Sequence, residues 1–440
     1  MWRLRLPDKK WRVAMDELLP YISEAVAIRR HLHKHPELGW TEFETTALVA
    51  EKLAQYGFEI HLGKEVVNLD AVYGRDPELV NKALERARKD GVSEDILKKM
   101  DGYTGCVAIL DTGKDGPSVG FRFDMDALPI LESRDESHLP FKEGFASVSP
   151  GVMHACGHDS HTAIGIAFAR WLSEHKKDLT GRIKLIFQPA EEGVRGAAAM
   201  AAAGVADDLD YIFGAHVGTR AKPGEIRLCT GGFFATTKFD VEFIGQAAHA
   251  GNAPEKGKDA LFAAASAVVM LRAIPRSSQG LTRITTGVLK AGTGRNIIPE
   301  HAVMICEVRG SNYDAKEYMF EKAMRVIEGA AAAEGVTHKV TIAGMAPSLV
   351  TTDKALCVMR EAARAIPGCT VLDECGNTGS EDFCVFARRV KEKGGNPGYF
   401  LFGCEHHGHH RPDFDIQDTK SIPIGLSAFV NIAKLLSASR

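Results

Sequence analysis

Strands alternate with helices over the first half of the chain, and after residue 233 four strands and two helices follow in a different order. These two observations predict an α/β protein interrupted by an inserted domain. The host is a discontinuous domain, residues 1–233 and 349–440, with a central sheet flanked by helices. The insert, residues 234–348, is a ferredoxin-like β-α-β-β-α-β unit.

Taken in order, residues 16 to 57 carry apolar positions at helical spacing, interrupted near Pro36. Residues 75 to 100 are highly charged, and "ELVNKALERARKDG" and "SEDILKKM" predict two short surface helices. "CVAIL", "SVGFRF" and "RIKLIF" are strands, and "HTAIGIAFARWLSEH" is an amphipathic helix. "VRGAAAMAAAG" is an alanine-rich helix ended by Gly204. In the insert, "TKFDVEFIG", "RITTGVLKAG", "VMICEVRGS" and "HKVTIAGM" are strands, separated by helices over 258–273 and 314–334. From about 349 helix–strand alternation resumes.

The length of 440 residues suits two or three domains, and 45% hydrophobic content allows a large core. The 54 basic and 57 acidic residues leave a formal charge of -3, which gives no electrostatic case for nucleic acid or a membrane surface. The basic start "MWRLRLPDKKWRV" lacks the apolar stretch of a secretion signal, and "ALFAAASAVVML" is too short to span a bilayer. Nine scattered cysteines without a CxxC pair argue for reduced thiols and a cytoplasmic location.

The chemistry concentrates in a few stretches. "GVMHACGHDSHT" holds Cys156 and His158 two apart, just before a helix; both can reach one ion, or one can sit between two ions. "FQPAEEG" puts Glu191 and Glu192 after a strand, where α/β sheets hold their sites. Adjacent carboxylates there suit a division of labour, one binding metal and one moving protons. His216 follows another strand, and "HHGHHRPDF" offers His406, His407, His409 and His410. His31, His33 and His35 of "RRHLHKHPE" point about 200° apart along a helix, so they do not share an ion and read as structural. "GTGRN" is a glycine-rich turn, too short for a phosphate loop.

Together "RRHLHKHPELGWTEFET", "DMDALP", "MHACGHDSHT", "QPAEEG", "AHVG", "AAHAG", "GRNIIP" and "GHHRPDFD" resemble the aminoacylase/carboxypeptidase family of dinuclear metalloamidases, in the branch that uses a cysteine ligand. The resemblance implies a zinc-peptidase-like catalytic domain with the insert as lid and dimerisation domain. It makes Cys156 the thiolate bridging two divalent ions, Mn or Zn, with His158, Glu192, His216 and His410 as the other ligands and Glu191 as general base. His410 is chosen because the family's ligand directly precedes an "xPxFD" stretch, here "RPDFD". Other branches carry a His-x-Asp motif where this chain reads Asp124-Met125-Asp126. The loss of that histidine is expected in the cysteine branch, where His158 can take over, and Asp126 is expected to orient a ligand.

From the insert, the resemblance assigns His249 to a partner protomer's site, where it polarises the scissile carbonyl. Asn296 and Arg309 match positions that hold a substrate carboxylate, a task suited to a guanidinium and an amide. The implied reaction is hydrolysis of an N-acyl amino acid. Within that branch a closer resemblance, carried by the charged insertion after "GKEVVN", "YTGCVAILDTGKDGP", "PFKEGFAS" and "TTKFDVEFIGQAAHAG", implies p-aminobenzoyl-glutamate as the substrate. Indole-acetyl-aspartate or a dipeptide would use the same motifs. A homodimer is expected, with a related second chain as a further candidate partner, and no nucleic-acid or membrane partner.

Overall fold

The computed structural model describes residues 14–376 and 379–438. The basic start, residues 1–13, lies outside the described residues. The described residues form two compact units: 14–232, 349–376 and 382–438, and 233–348 with 379–381.

The first unit is built on a mixed eight-stranded sheet. Its strands are β1 (Glu59–Leu62), β2 (Cys106–Asp111), β3 (Ser118–Asp124), β4 (Arg182–Gln188), β5 (Tyr211–Val217), β6 (Glu225–Leu228), β11 (Thr370–Leu372) and β12 (Asn396–Phe402). The order is β1-β2-β4-β3-β5-β12-β6-β11. The four central strands β4, β3, β5 and β12 run parallel. Each is buried along almost its whole length, because helices cover both faces.

On one face Phe121 and Phe123 of β3 meet Phe429 at 5.8 and 5.1 Å, and Phe121 meets Phe168 at 4.9 Å. Those partners come from the helices His158–Glu174 and Asp418–Ala438. On the other face Gly214 lies under Phe383 of the helix Phe383–Glu392, where a Cβ would come within 2.7 Å of the ring. Among the described residues Asp418–Ala438 is the one helix long and apolar enough to cross a membrane. With 72% of its apolar window buried, it serves as a core helix.

The expected interrupted helix is Met15–Lys34 followed by Phe43–Gln55, and the charged stretch forms Pro77–Lys89 and Glu94–Met100. Asp76 caps the first of these last two by accepting the N–H groups of Glu78 and Leu79.

The second unit contains β7 (Ala235–Ile244), β8 (Thr282–Ala291), β9 (His301–Gly310) and β10 (Thr337–Ala346). With helices Ala260–Arg272 and Tyr313–Glu334 the order is β-α-β-β-α-β, as the patterning predicts. The sheet is antiparallel in the order β10-β7-β9-β8. Alternate residues Phe239, Val241 and Phe243 of β7 face Ala263, Ala267, Ala323 and Ile327 of the helices. Asn312 caps the second helix at one end, and Gly335, at φ 63°, takes the left-handed turn that ends it.

Candidate metal centre

Because β3, β4, β5 and β12 are parallel, their carboxyl ends Asp124, Gln188, Val217 and Phe402 share one edge of the sheet. The loops leaving that edge carry Asp126, Glu191 and Glu192, Thr219, and the histidines from 406 to 410. Cys156 and His158 arrive at the start of the helix His158–Glu174. Gly157 between them sits at φ 93°, and a Cβ there would come within 2.4 Å of Val217. Only glycine lets the chain turn this tightly against β5.

Hydrogen bonds fix the direction of each ring. His158 Nδ1 faces the Asp126 carbonyl oxygen at 2.9 Å and its carboxylate at 3.2 Å, so Nδ1 carries the proton. Its Nε2 is buried without a hydrogen-bond partner among the described residues, and so is Glu192 Oε1. His216 Nδ1 donates to the Val217 carbonyl at 2.8 Å, which leaves the Nε2 lone pair 3.4 Å from Cys156 Sγ. Two donor sets, Cys156–His158–Glu192 and Cys156–His216–His409, each have their ligand atoms within 4.8 Å of one another. Cys156 belongs to both.

Two of the four late histidines reach this cluster. His410 Nε2 lies 3.4 Å from Glu192 Oε1, and its backbone N–H donates to the Ala155 carbonyl at 2.8 Å. His409 Nδ1 lies 3.6 Å from Cys156 Sγ, while its Nε2 accepts the Thr219 N–H at 2.8 Å. That bond uses the Nε2 lone pair, so His409 presents an N–H to the sulfur, and His410 keeps a free nitrogen beside the unpartnered Glu192 oxygen. A cavity of about 1000 Å³ is lined in part by Thr219, His138 and His406.

The electrostatics suit a cation. Burial, then the charge of Glu192, pushes the Cys156 thiol well above its ordinary range, so a bound cation is what would hold it as thiolate. Burial and the neighbouring His161 and His409 hold His216 well below the usual imidazole range, and a ligand must be neutral. Asp126 takes the N–H groups of Glu191 and Glu192, each at 2.9 Å, as well as His158. Although burial raises its carboxyl, the bond with His158 brings it below its ordinary value. Glu191 Oε2 stands 4.0 Å from His158 Nε2. The residues present fit a pair of divalent ions: a central sulfur, the neutral His216, a His158 that, against burial, Asp124 holds protonated and whose proton a cation would displace, and a buried carboxylate oxygen that makes no hydrogen bond.

Motif reading passed over the scaffold beneath these groups. Arg122 binds Gln188 at 2.7 Å and Asp382 at 2.8 Å, and also Asp124. His161 spans Asp124 and the Val217 N–H, so both its nitrogens are used. His161 stood in the quoted stretch, but nothing in sequence separates a bracing histidine from a ligand.

In the second unit, His249 and Asn296 are brought together. His249 bridges Ile297, and the Ala250 N–H donates to the Asn296 carbonyl at 3.1 Å. Arg309 is elsewhere. It pairs with Thr236 at the start of β7, whereas His301 pairs with Ile244 at the end nearer His249. Eight residues of strand separate those positions, roughly 27 Å. The Arg309 guanidinium holds Glu307 at 2.9 Å.

A doubly covered α/β sheet with a cysteine, histidine and glutamate cluster at its carboxyl edge defines a metallohydrolase class. The chain belongs to peptidase family M20/M25/M40, whose family model matches residues 120–435. It is 42% identical to a Haemophilus influenzae homolog of one subunit of p-aminobenzoyl-glutamate hydrolase, covering 94% of this chain and 99% of that protein. It is 46% identical to the indole-3-acetyl-aspartic acid hydrolase of Enterobacter agglomerans, over 91% of this chain and 93% of the relative. The crystal structure of the aminobenzoyl-glutamate utilization protein from Klebsiella pneumoniae superposes with a TM-score of 0.81 at 38% identity, covering 96% of each chain.

Proposed function

We propose that this protein is a metal-dependent amidohydrolase that cleaves N-acyl amino acids, with p-aminobenzoyl-glutamate as first substrate. The observation that carries the reading is the cluster of Cys156, His158, Glu192 and His216 at one sheet edge, with His158 Nε2 and Glu192 Oε1 buried and making no hydrogen bond. Cys156, His158, Glu192, His216 and His410 would hold two ions, Mn or Zn. Bound there, such ions would supply Lewis acidity toward a water and the amide carbonyl. Glu191 takes the proton from that water and delivers it to the departing amine. Asp126 keeps Glu191 and Glu192 in place through their backbone N–H groups.

The names of both relatives above pair an aromatic acyl group with an acidic amino acid, glutamate in one and aspartate in the other. Indole-acetyl-aspartate is therefore the second candidate, supported by the 46% identity. We assign the leaving carboxylate to Asn296 and Arg309, and carbonyl polarisation to His249 of a second protomer. The working form is a cytoplasmic homodimer, and the relative's name, which makes it one subunit of a hydrolase, makes a second, related chain a candidate partner. The test is an assay of the purified chain with Mn²⁺ and with Zn²⁺ against N-acyl glutamates, N-acyl aspartates and dipeptides. Hydrolysis confined to acyl-glutamates supports the first reading and confined to acyl-aspartates the second; none with either metal, alone or with a related chain, refutes both.

A further inference from the structure

The "RRHLHKHPE" stretch takes no part in the chemistry above, yet it holds one of the most buried polar networks in the protein. His33 is fully buried. Its Nδ1 lies 2.7 Å from Asp159 Oδ2 and its Nε2 2.9 Å from Glu132 Oε1. Both neighbours are carboxylate oxygens already engaged as acceptors. Asp159 takes Arg29 Nε at 2.9 Å and the Ser160 N–H at 2.8 Å. Glu132 takes His138 Nε2 at 2.8 Å and the Ser147 N–H at 2.5 Å. A neutral imidazole offers one N–H and one lone pair, and a lone pair against a carboxylate oxygen repels. Two acceptors at hydrogen-bond distance require two N–H groups.

We propose that His33 is a buried imidazolium and a positioning residue, bracing Asp159 against Glu132 and so fixing the helix start that presents Cys156 and His158. Asp159 directly follows His158 in the first turn of the helix His158–Glu174. Glu132 anchors the segment after β3, through Ser147 and His138. His33 thus ties three separate stretches of chain at one point behind the metal cluster.

The other groups facing His33 are consistent with a cation there. Arg29 NH2 approaches Nδ1 at 3.4 Å and opposes the charge, but Arg29 also binds Asp415 and Asp418. His154, whose ring lies 6.4 Å away, is held neutral by burial. Phe145 packs edge-on at 5.7 Å and adds no charge. Burial and Arg29 both lower the His33 value, and its bonds to Asp159 and Glu132 outweigh them to raise it.

The inference rests on the metal reading for its consequence, and two measurements separate them. Nitrogen-labelled histidine spectra of the metal-free chain at about pH 8, where an ordinary histidine is neutral, should show a doubly protonated imidazole at His33, beside that of His158, which, against burial, Asp124 and Cys156 hold above its ordinary range. The His33 signal should vanish in His33→Gln. In folded His33→Gln, Mn²⁺ affinity should fall about 10–100-fold, the usual effect of removing a group that orients ligands. His33→Lys, which keeps a cation, should recover part of it. If His33→Gln does not fold, Glu132→Gln should abolish the doubly protonated His33 signal and weaken Mn²⁺ binding likewise. A neutral His33, or unchanged Mn²⁺ affinity in the variants, overturns the proposal. A wild-type chain that binds no Mn²⁺ or Zn²⁺ overturns the metal reading instead, and the nitrogen spectrum still decides the state of His33.

Discussion

His158 turns its Nδ1 to the backbone oxygen of Asp126 at 2.9 Å, and that single bond decides which nitrogen faces the metal cluster. The Asp126 carboxylate adds a second contact at 3.2 Å and also gathers the N–H groups of Glu191 and Glu192. One buried side chain therefore aligns His158, Glu192 and Glu191, the proposed ligands and base. Asp126→Ala should weaken Mn²⁺ binding about 10–100-fold with the fold retained. Equilibrium metal titration checks this, and unchanged affinity would remove Asp126 from the orienting role.

Glu191 and Glu192 are neighbours with different tasks. Glu191→Gln should keep both ions while kcat falls by about two to four orders of magnitude. Glu192→Gln should lose metal first, since it gives up the orphaned oxygen. Metal content measured beside kcat separates the two, and empty sites in Glu191→Gln would overturn the division.

Cys156 is shared by both donor sets, so Cys156→Ser should lose metal and activity together; a neutral hydroxyl is a poor bridge. A thiol-directed reagent should inactivate the metal-free chain faster than the loaded one. Equal rates, with Cys156 confirmed as the modified residue by peptide mapping, would refute ligation.

The Glu132 carboxyl gives a stability signature in acid. Burial raises it, but bonds from His138 and His33 bring it down from 4.5 to about 2. For a lowered carboxyl the folded state favours the charged form. Its stabilisation is complete above the unfolded value and is lost as pH falls from about 4.5 through about 2, roughly 3 kcal/mol in all. Glu132→Gln should flatten that part of the curve of unfolding free energy against pH. An unaltered slope would show that Glu132 titrates normally.

Periodicity made the elements of the second unit legible, because β7, β8, β9 and β10 run ten residues each and show one buried face. Strands β1, β6 and β11 were not legible: at three or four residues, even the polar–apolar alternation of Glu59–Leu62 and Glu225–Leu228 is too short to stand out. At the site, motif spacing located Cys156, His158, Glu191, Glu192 and His216, all of which the fold collects at one sheet edge. The four late histidines show the limit of that reading. Sequence offers them as equals, and only the Thr219 N–H on His409 separates a nitrogen already in use from the free one of His410. The Arg122 and His33 networks were invisible because their partners lie up to 389 residues apart in the chain.

His249 and Asn296 share one end of the second unit, while Arg309 stands roughly 27 Å along the strand. One chain therefore cannot close both Asn296 and Arg309 on the same small carboxylate. In the proposed two-fold dimer, each site would take Arg309 from one chain and the His249–Asn296 loops from the other. Variants should then fall into two complementation groups. For Glu191→Gln or Arg309→Ala, mixed with His249→Ala or Asn296→Ala under protomer exchange, the mixed dimer should regain about half of a normal dimer's activity, since one of its two sites is whole. His249→Ala mixed with Asn296→Ala should regain none, because both lesions lie on the lent surface. Verified mixed dimers of Glu191→Gln and His249→Ala that stay inactive would place His249 in its own chain's site and end the shared-site reading.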